Sequence, residues 1–357
     1  MLIRLSAFRS PRGFSYVSSS RISIARLTYS SRSNQRTPRN MAEHQSNILN
    51  WANKEDGHFR RLPSKFRNEI KAGGEYPPEK GRYHLYICHA CPWANRTAIA
   101  RRLKGLEDFI DVTVVSPLMG PKGWAFKKAA DHEVSGSEDD PLYGYSNLRE
   151  FYFKVNPEYD GRFTVPMLWD KKTESIVNNE SAEIIRMFNT AFNDQLPADK
   201  AALDLYPKEL QKEIDGVNEW VYDTVNNGVY KCGFATSQTA YEANVGPLFA
   251  SLDRLEGILK GKDYLVGNTL TEADVRLFTT IVRFDPVYHG HFKCNLGQIR
   301  HNYPEINRWM RNLYWNNAAF KETTDFEHIK IHYYWSHKQI NPTGIVPLGP
   351  KPNIESL

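Results

Sequence analysis

Four cysteines in 357 residues are too few for a disulfide framework, so the chain is expected in a reducing compartment. No apolar run approaches the ~20 residues that a membrane-spanning helix requires, and no membrane partner is predicted. An excess of positive charge is also missing from most of the chain. Beyond residue 40 there are 38 basic against 41 acidic residues, a net of −3, which gives no general attraction for nucleic acid. The formal +5 of the whole chain comes from residues 1–40, which hold eight Arg, no Lys and no acidic residue. With Ser abundant and Leu, Ile and Phe between the arginines, residues 1–40 have the composition of a mitochondrial presequence. A plain basic tail is the alternative. Met41 follows at once, so a second start would give a cytosolic form. There is no internal repeat. Metal-ligand spacing is lacking as well: Cys88, His89 and Cys91 have no second ligand pair, and no metal is expected.

What is present is sharpest at His84-Leu85-Tyr86-Ile87-Cys88-His89-Ala90-Cys91-Pro92-Trp93-Ala94-Asn95-Arg96. It reads as a short strand, a tight turn and a helix opened by proline, which loses nothing at the first helical position. Cys91 falls at the N-cap, where free N–H groups and the positive dipole end favour an anion. A thiol gains chemically there, since the thiolate is the nucleophile and its pKa falls at helix N-termini. The plain alternative is a buried, inert cysteine.

From about residue 80 the pattern is α/β. Tyr83–Ile87 is a first strand, Pro92–Leu103 a helix and Phe109–Val115 a second strand. Residues 116–160 read as a long irregular insertion, a length that is usually functional. Phe163–Asp170 is a strand interrupted by Pro166, and Ser175–Val177 is another. Asn179-Glu180-Ser181 leads into a helix over Ala182–Phe192. That order is thioredoxin-like. The remainder reads as helical: Leu248, Leu252, Leu255 and Leu259 share one helix face, and Thr271-Glu272-Ala273-Asp274 is a capping box with Leu270 and Val275 as its staple. The predicted organisation is a presequence over 1–40, a thioredoxin-like domain over 45–193 and an all-helical domain over 200–340. An extended tail over 341–357 completes it.

Cys91-Pro92-Trp93-Ala94, Val165-Pro166, Glu180-Ser181 and an all-helical second half together resemble the cytosolic glutathione transferases of the cysteine type. Five stretches narrow the resemblance. They are Cys91–Ala94, Asn226–Lys231, Thr271–Leu277, Arg283–Tyr288 and Asn341–Gly344, which in this order look like the glutathionyl-hydroquinone reductases, or Xi-class transferases. The resemblance runs from about residue 45 to the C-terminus. Two departures stand out. Asn95 occupies a position where the family more often has His. Cys88, which is not a family requirement, makes a thioredoxin-like Cys-x-x-Cys with Cys91 but sits before the helix start, as a strand-end residue or a resolving thiol.

The resemblance implies an α/β thioredoxin-like fold followed by an all-α domain, glutathione as co-substrate and a homodimer. It also implies the reaction: a glutathionyl-hydroquinone plus glutathione gives free hydroquinone and glutathione disulfide, through a Cys91–glutathione mixed disulfide. By motif, Tyr230, Tyr288 and Tyr333 become hydroxyl donors to the quinol, although any one tyrosine is otherwise simply packed. Glu180 and Ser181 hold the γ-glutamyl end and Val165, before a cis-Pro166, pairs with the peptide backbone. Trp124 contacts glutathione, with a packed surface loop as the plain alternative. Charge and position alone, apart from the resemblance, make Arg162 the candidate for the glycyl carboxylate. Two other readings use the same residues: a thioltransferase or dehydroascorbate reductase of the cysteine type, and a non-catalytic binding protein that kept the fold.

Overall fold

The computed structural model describes residues 55–357; the presequence expected over 1–40 lies outside the described residues. Among the described residues six strands form in chain order: β1 (Tyr83–Ile87), β2 (Ile110–Val114), β3 (Met119–Gly120), β4 (Gly123–Trp124), β5 (Met167–Asp170) and β6 (Ser175–Asn178). The first helices are α1 (Pro92–Leu103), α2 (Arg149–Val155) and α3 (Ser181–Thr190). Then come α4 (Ala198–Ala202), α5 (Gln211–Val221), α6 (Gly228–Gly233), α7 (Gln238–Leu259) and α8 (Glu272–Ile281). The chain closes through α9 (Ile299–Asn302), α10 (Pro304–Asn316), α11 (Ala318–Lys321) and α12 (Phe326–Ser336). π-Helical turns at Tyr222–Asn226 and Phe284–Tyr288 lie just before α6 and just after α8. No described helix is long and apolar enough to cross a membrane.

The main sheet has the order β2-β1-β5-β6, with β1/β2 parallel and the other pairs antiparallel. Every residue of β1 is buried, as expected for a central strand covered on both faces. Alternation sends Tyr83, Leu85 and Ile87 toward one face and His84 and Tyr86 toward the other. On the latter face Phe151 of α2 lies 4.6 Å from Tyr86 and 4.9 Å from Trp169, ring centre to ring centre.

Register decides where the chemistry falls. Tyr86 pairs with Met167, so the exit of β1 lies beside the entry of β5. Leu168 pairs with Asn178, so the end of β6 reaches the same edge. The Cys91 turn, the Val165-Pro166 segment and the start of α3 therefore converge although they are far apart in sequence. The Val165–Pro166 bond is cis. The strand expected over Phe163–Asp170 starts only at Met167, because the residues around Pro166 leave the ladder.

The stretch read as irregular between 116 and 160 is more ordered than its composition suggested. It contains the β3/β4 hairpin, turned by Gly123 at φ +82°, and α2. In the helical half, Leu248, Leu252, Leu255 and Leu259 are fully buried along α7. Asp274 accepts from the Thr271 N–H at 3.0 Å, from the Leu265 N–H at 2.9 Å and from Trp309 Nε1 at 3.0 Å. The expected helix start of α8 is thus built, and it also ties α10 and the preceding loop together. The C-terminal tail carries no helix or strand; Arg300 donates to the carbonyls of Pro352 and Asn353, and Ile354 is buried.

Candidate active site

Cys91 caps α1 with extended backbone (φ −76°, ψ 118°), followed by proline at the first helical position. Its thiol donates to the Val165 carbonyl at 3.4 Å. Burial pushes the thiol up; the N–H groups of Ala94 and Trp93 and the cations Arg283 and Arg61 pull it down. The helix start therefore acts in the expected direction, but in the resting protein desolvation outweighs it, which corrects the expectation of a simply depressed thiol. Cys88 has no exposure, burial pushes its thiol well up, and it remains a free thiol. It contributes a carbonyl, which accepts the Cys91 N–H at 3.0 Å. Nothing in this geometry makes Cys88 accessible as a resolving thiol.

Cys91 opens into a cavity of about 310 Å³. Trp124, Arg162, Val165, Glu180, Ser181, Tyr230 and Tyr333, all singled out from sequence, line it together. Glu180 is the N-cap of α3, and its carboxylate accepts from the Ala182 N–H at 3.2 Å and from Ser64 Oγ at 3.0 Å. Ser181 Oγ is buried with no hydrogen-bond partner. Trp124, at the end of the β3/β4 hairpin, stacks on His332 of α12 with ring centres 4.8 Å apart. Burial lowers the Arg162 guanidinium to about 10.

The three tyrosines form a chain of hydroxyls. Tyr230 and Tyr333 oxygens are 2.6 Å apart, and Tyr288 and Tyr333 oxygens 2.9 Å apart. Tyr288 is fully buried and stands behind Tyr333, outside the cavity lining. Burial raises all three phenols, which keeps them neutral donors. Phe292 stacks on Tyr288 at 5.5 Å and meets Tyr230 edge-on at 5.5 Å. It reaches there because residue 233 is glycine: a Cβ at that position would lie 2.1 Å from the Phe292 ring.

Several lining residues escaped the sequence reading. Residues 59–65 form one wall. They are held by an antiparallel bridge between Arg67 and Asn178 at the β6 edge, where the Asn179 N–H also donates to the Phe66 carbonyl at 3.1 Å. Phe59 stacks on Tyr230 and Phe234. The Arg61 guanidinium lies 4.4 Å over Trp93 and 5.1 Å over Tyr230, with Nε on Asn227 Oδ1 at 2.8 Å. His332 and His337 complete the aromatic side, and burial lowers His332 to about 4, so it is neutral. These groups carried no local signal, since their roles depend on contacts more than a hundred residues away. Among the described residues no group of three or more His, Cys, Asp or Glu side chains is placed to hold a metal.

Residues 90–191 match the model for the glutathione S-transferase N-terminal domain, and residues 238–312 match that for the C-terminal domain. The glutathione S-transferase omega-like 2 of Schizosaccharomyces pombe is 59% identical over 314 residues, covering 87% of this chain and 98% of the relative. The glutathionyl-hydroquinone reductase YqjG of Escherichia coli is 53% identical over 307 residues, covering 84% of this chain and 91% of the relative. Its glutathione-bound structure superposes with a TM-score of 0.77 at 51% identity, over 84% of this chain and 96% of that one. The crystal structure of the glutathione-S-transferase Xi from Phanerochaete chrysosporium superposes with a TM-score of 0.84 at 64% identity, over 85% of this chain and 96% of that one. With its cysteine at the start of α1 and its two matched halves, the chain belongs to the glutathione transferases, in their Xi, omega-like class.

Proposed function

We propose that this protein reduces glutathionyl-hydroquinones to hydroquinones with glutathione as co-substrate. The observation that carries the reading is that Cys91, the start of α3 at Glu180–Ser181 and the hydroxyl pair Tyr230–Tyr333 share one cavity. The Cys91 thiolate attacks the sulfur of the conjugate. A Cys91–glutathione disulfide forms as the sulfur–carbon bond breaks, and its electron pair goes to the ring carbon, which takes a proton as the hydroquinone leaves. A second glutathione thiolate attacks the mixed disulfide, releasing glutathione disulfide and the Cys91 thiolate. Tyr230 and Tyr333 hydrogen-bond the quinol oxygen and deliver the proton.

Glu180 pairs with the γ-glutamyl ammonium of glutathione. Ser181 and the N–H groups at the start of α3 take its carboxylate. Val165 pairs with the peptide backbone, Trp124 packs beside it, and Arg162 meets the glycyl carboxylate. The homologous YqjG, named for this reaction and solved with glutathione, supports the assignment.

The test is to mix the protein with glutathionyl-menadiol and glutathione. Equal amounts of menadiol and glutathione disulfide are expected, with Cys91→Ser inactive and Cys88→Ser retaining most of the rate. A fully active Cys91→Ser, or no menadiol from the unaltered protein, overturns the reading. The family resemblance also supports a homodimer, which sedimentation at micromolar concentration decides.

A further inference from the structure

Arg283, two residues beyond α8, has no exposure. Among the described residues no carboxylate lies within ion-pairing distance of it. Its N–H groups go instead to neutral acceptors. Nε donates to the Ala90 carbonyl at 3.0 Å and Nη2 to the His89 carbonyl at 2.7 Å. Nη1 donates to Asn95 Oδ1 at 3.0 Å and to the Thr279 carbonyl at 2.7 Å. Buried charges are normally paired, so a fully buried guanidinium balanced only by carbonyl dipoles calls for an explanation. Three of its four acceptors belong to the turn before Cys91 or to the first turn of α1.

We propose that Arg283 is the counter-cation of the Cys91 thiolate and the brace that aims it, a positioning residue for the nucleophile. The carbonyls it grips are those of the two residues immediately preceding Cys91, so the charge and the sulfur are fixed by the same short turn. The negative partner that the buried cation lacks is created when Cys91 ionises. Besides the Ala94 and Trp93 N–H groups, the titratable and charged groups that act on the sulfur are Arg283 from the helical half, Arg61 from the N-terminal wall, Tyr230 from α6 and Cys88 from the end of β1. The last two are neutral. Arg61 is half-buried, so its field is screened more than that of Arg283. Arg283 acts in turn on Tyr230 and Cys88 and on His89, His332, Tyr288 and Tyr333, all held neutral by burial.

Asn95 is the handle for a test. It accepts from Arg283 and donates to the Thr323 carbonyl at 2.9 Å. Asn95→Asp would set a fixed carboxylate against the guanidinium without removing it. Asn95→Ala removes the same hydrogen bonds and adds no charge.

The proposal rests on Cys91 being the nucleophile, and its test is read on the thiol alone. The measurement is the pH dependence of Cys91 alkylation by iodoacetamide in the full chain, followed on the Cys91 peptide by mass spectrometry. Asn95→Asp is expected to move the midpoint up by about one pH unit, roughly a tenfold slower reaction at neutral pH. Asn95→Ala should leave the midpoint where the unaltered protein has it. Arg283→Lys keeps the charge without the fork and should stay nearer the unaltered midpoint than Arg283→Met. If Asn95→Asp leaves the midpoint unmoved, or if Asn95→Ala moves it equally, the proposal is overturned. Because no quinol conjugate enters this measurement, its failure leaves the reductase reading intact, and failure of that reading shows in the menadiol assay alone.

Discussion

The hydroxyl oxygens of Tyr230 and Tyr333 lie 2.6 Å apart, and Tyr333 is at the same time 2.9 Å from Tyr288. Three neutral phenols hold three hydrogens, and two links use two of them. One O–H is left over. Since Tyr230 and Tyr333 line the cavity and Tyr288 does not, donation from Tyr288 to Tyr333 leaves the spare hydrogen on one of the two hydroxyls that face a ligand. Tyr230→Phe and Tyr333→Phe should each slow menadiol release from glutathionyl-menadiol by about 10²-fold. Both should spare reduction of a simple glutathione mixed disulfide, whose leaving group is a thiolate. Tyr288→Phe should cost only a few-fold. Stopped-flow comparison of the two substrates checks this, and equal losses on both would assign the tyrosines to packing.

At the glutathione end, Ser181 Oγ has no protein partner although it is buried. Ser181→Ala removes no hydrogen bond of the resting protein. The thermal midpoint should therefore stay within about 1 °C, while the glutathione KM rises about tenfold for one lost bond to a charged group. Initial rates against glutathione concentration beside a melting curve separate these effects. A fall in melting temperature without a change in KM would count against Ser181 as a glutathione ligand.

Acid should destabilise the protein through its buried histidines before most of its carboxylates titrate. Burial lowers His84, His89 and His332 from 6.5 to about 4 and His291 to about 3. The unfolded chain thus binds more protons below pH 6.5, so stability is full above that value and is lost as pH falls toward 4. Asp274, raised to about 6 by burial, works with the opposite sign between 3.8 and 6, but it is one group against these four and His337, which burial lowers in the same direction. Urea midpoints at pH 8, 6.5 and 5 should fall steadily below 6.5. A flat profile over that range would mean that the histidines protonate without unfolding.

Asp274→Ala should destabilise the chain by about 3 kcal/mol, because it orphans the N–H groups of Thr271 and Leu265 and the Trp309 indole, all buried. Arg283 stands shortly after the helix that Asp274 starts, so Cys91 alkylation should become less pH-sharp well below the unfolding midpoint. Urea melts followed by tryptophan fluorescence give the first number, and Cys91 labelling gives the second.

The parts of the site legible in the sequence were those with strictly local chemistry. Cys91-Pro92 announces a helix start, Glu180-Ser181 another and Thr271–Asp274 a third, because caps act within four residues. The family resemblance then brought Tyr230, Tyr288 and Tyr333 together, although nothing in their spacing places one behind the other two. Phe59, Arg61, Ser64 and His337 were invisible, since each acts only across the folded molecule. Arg96 in α1 illustrates why. It is 1% exposed, donating to Asn226 Oδ1 at 2.8 Å where the helical half covers α1, a contact 130 residues away in sequence. The β3/β4 hairpin was missed because two-residue strands leave no periodicity, and the Trp124–His332 stack that fixes it is two hundred residues long in sequence.

The wall built by residues 59–65 has a practical corollary for dissecting this protein. The two regions that match known domain families begin only at residue 90. A chain begun instead at β1 would keep its sulfur, its sheet and its tyrosines while shedding Ser64 from Glu180, Arg61 from Trp93 and Phe59 from Tyr230. Such a minimal version would look complete by every catalogue of parts and leave its thiol open to bulk water on one side.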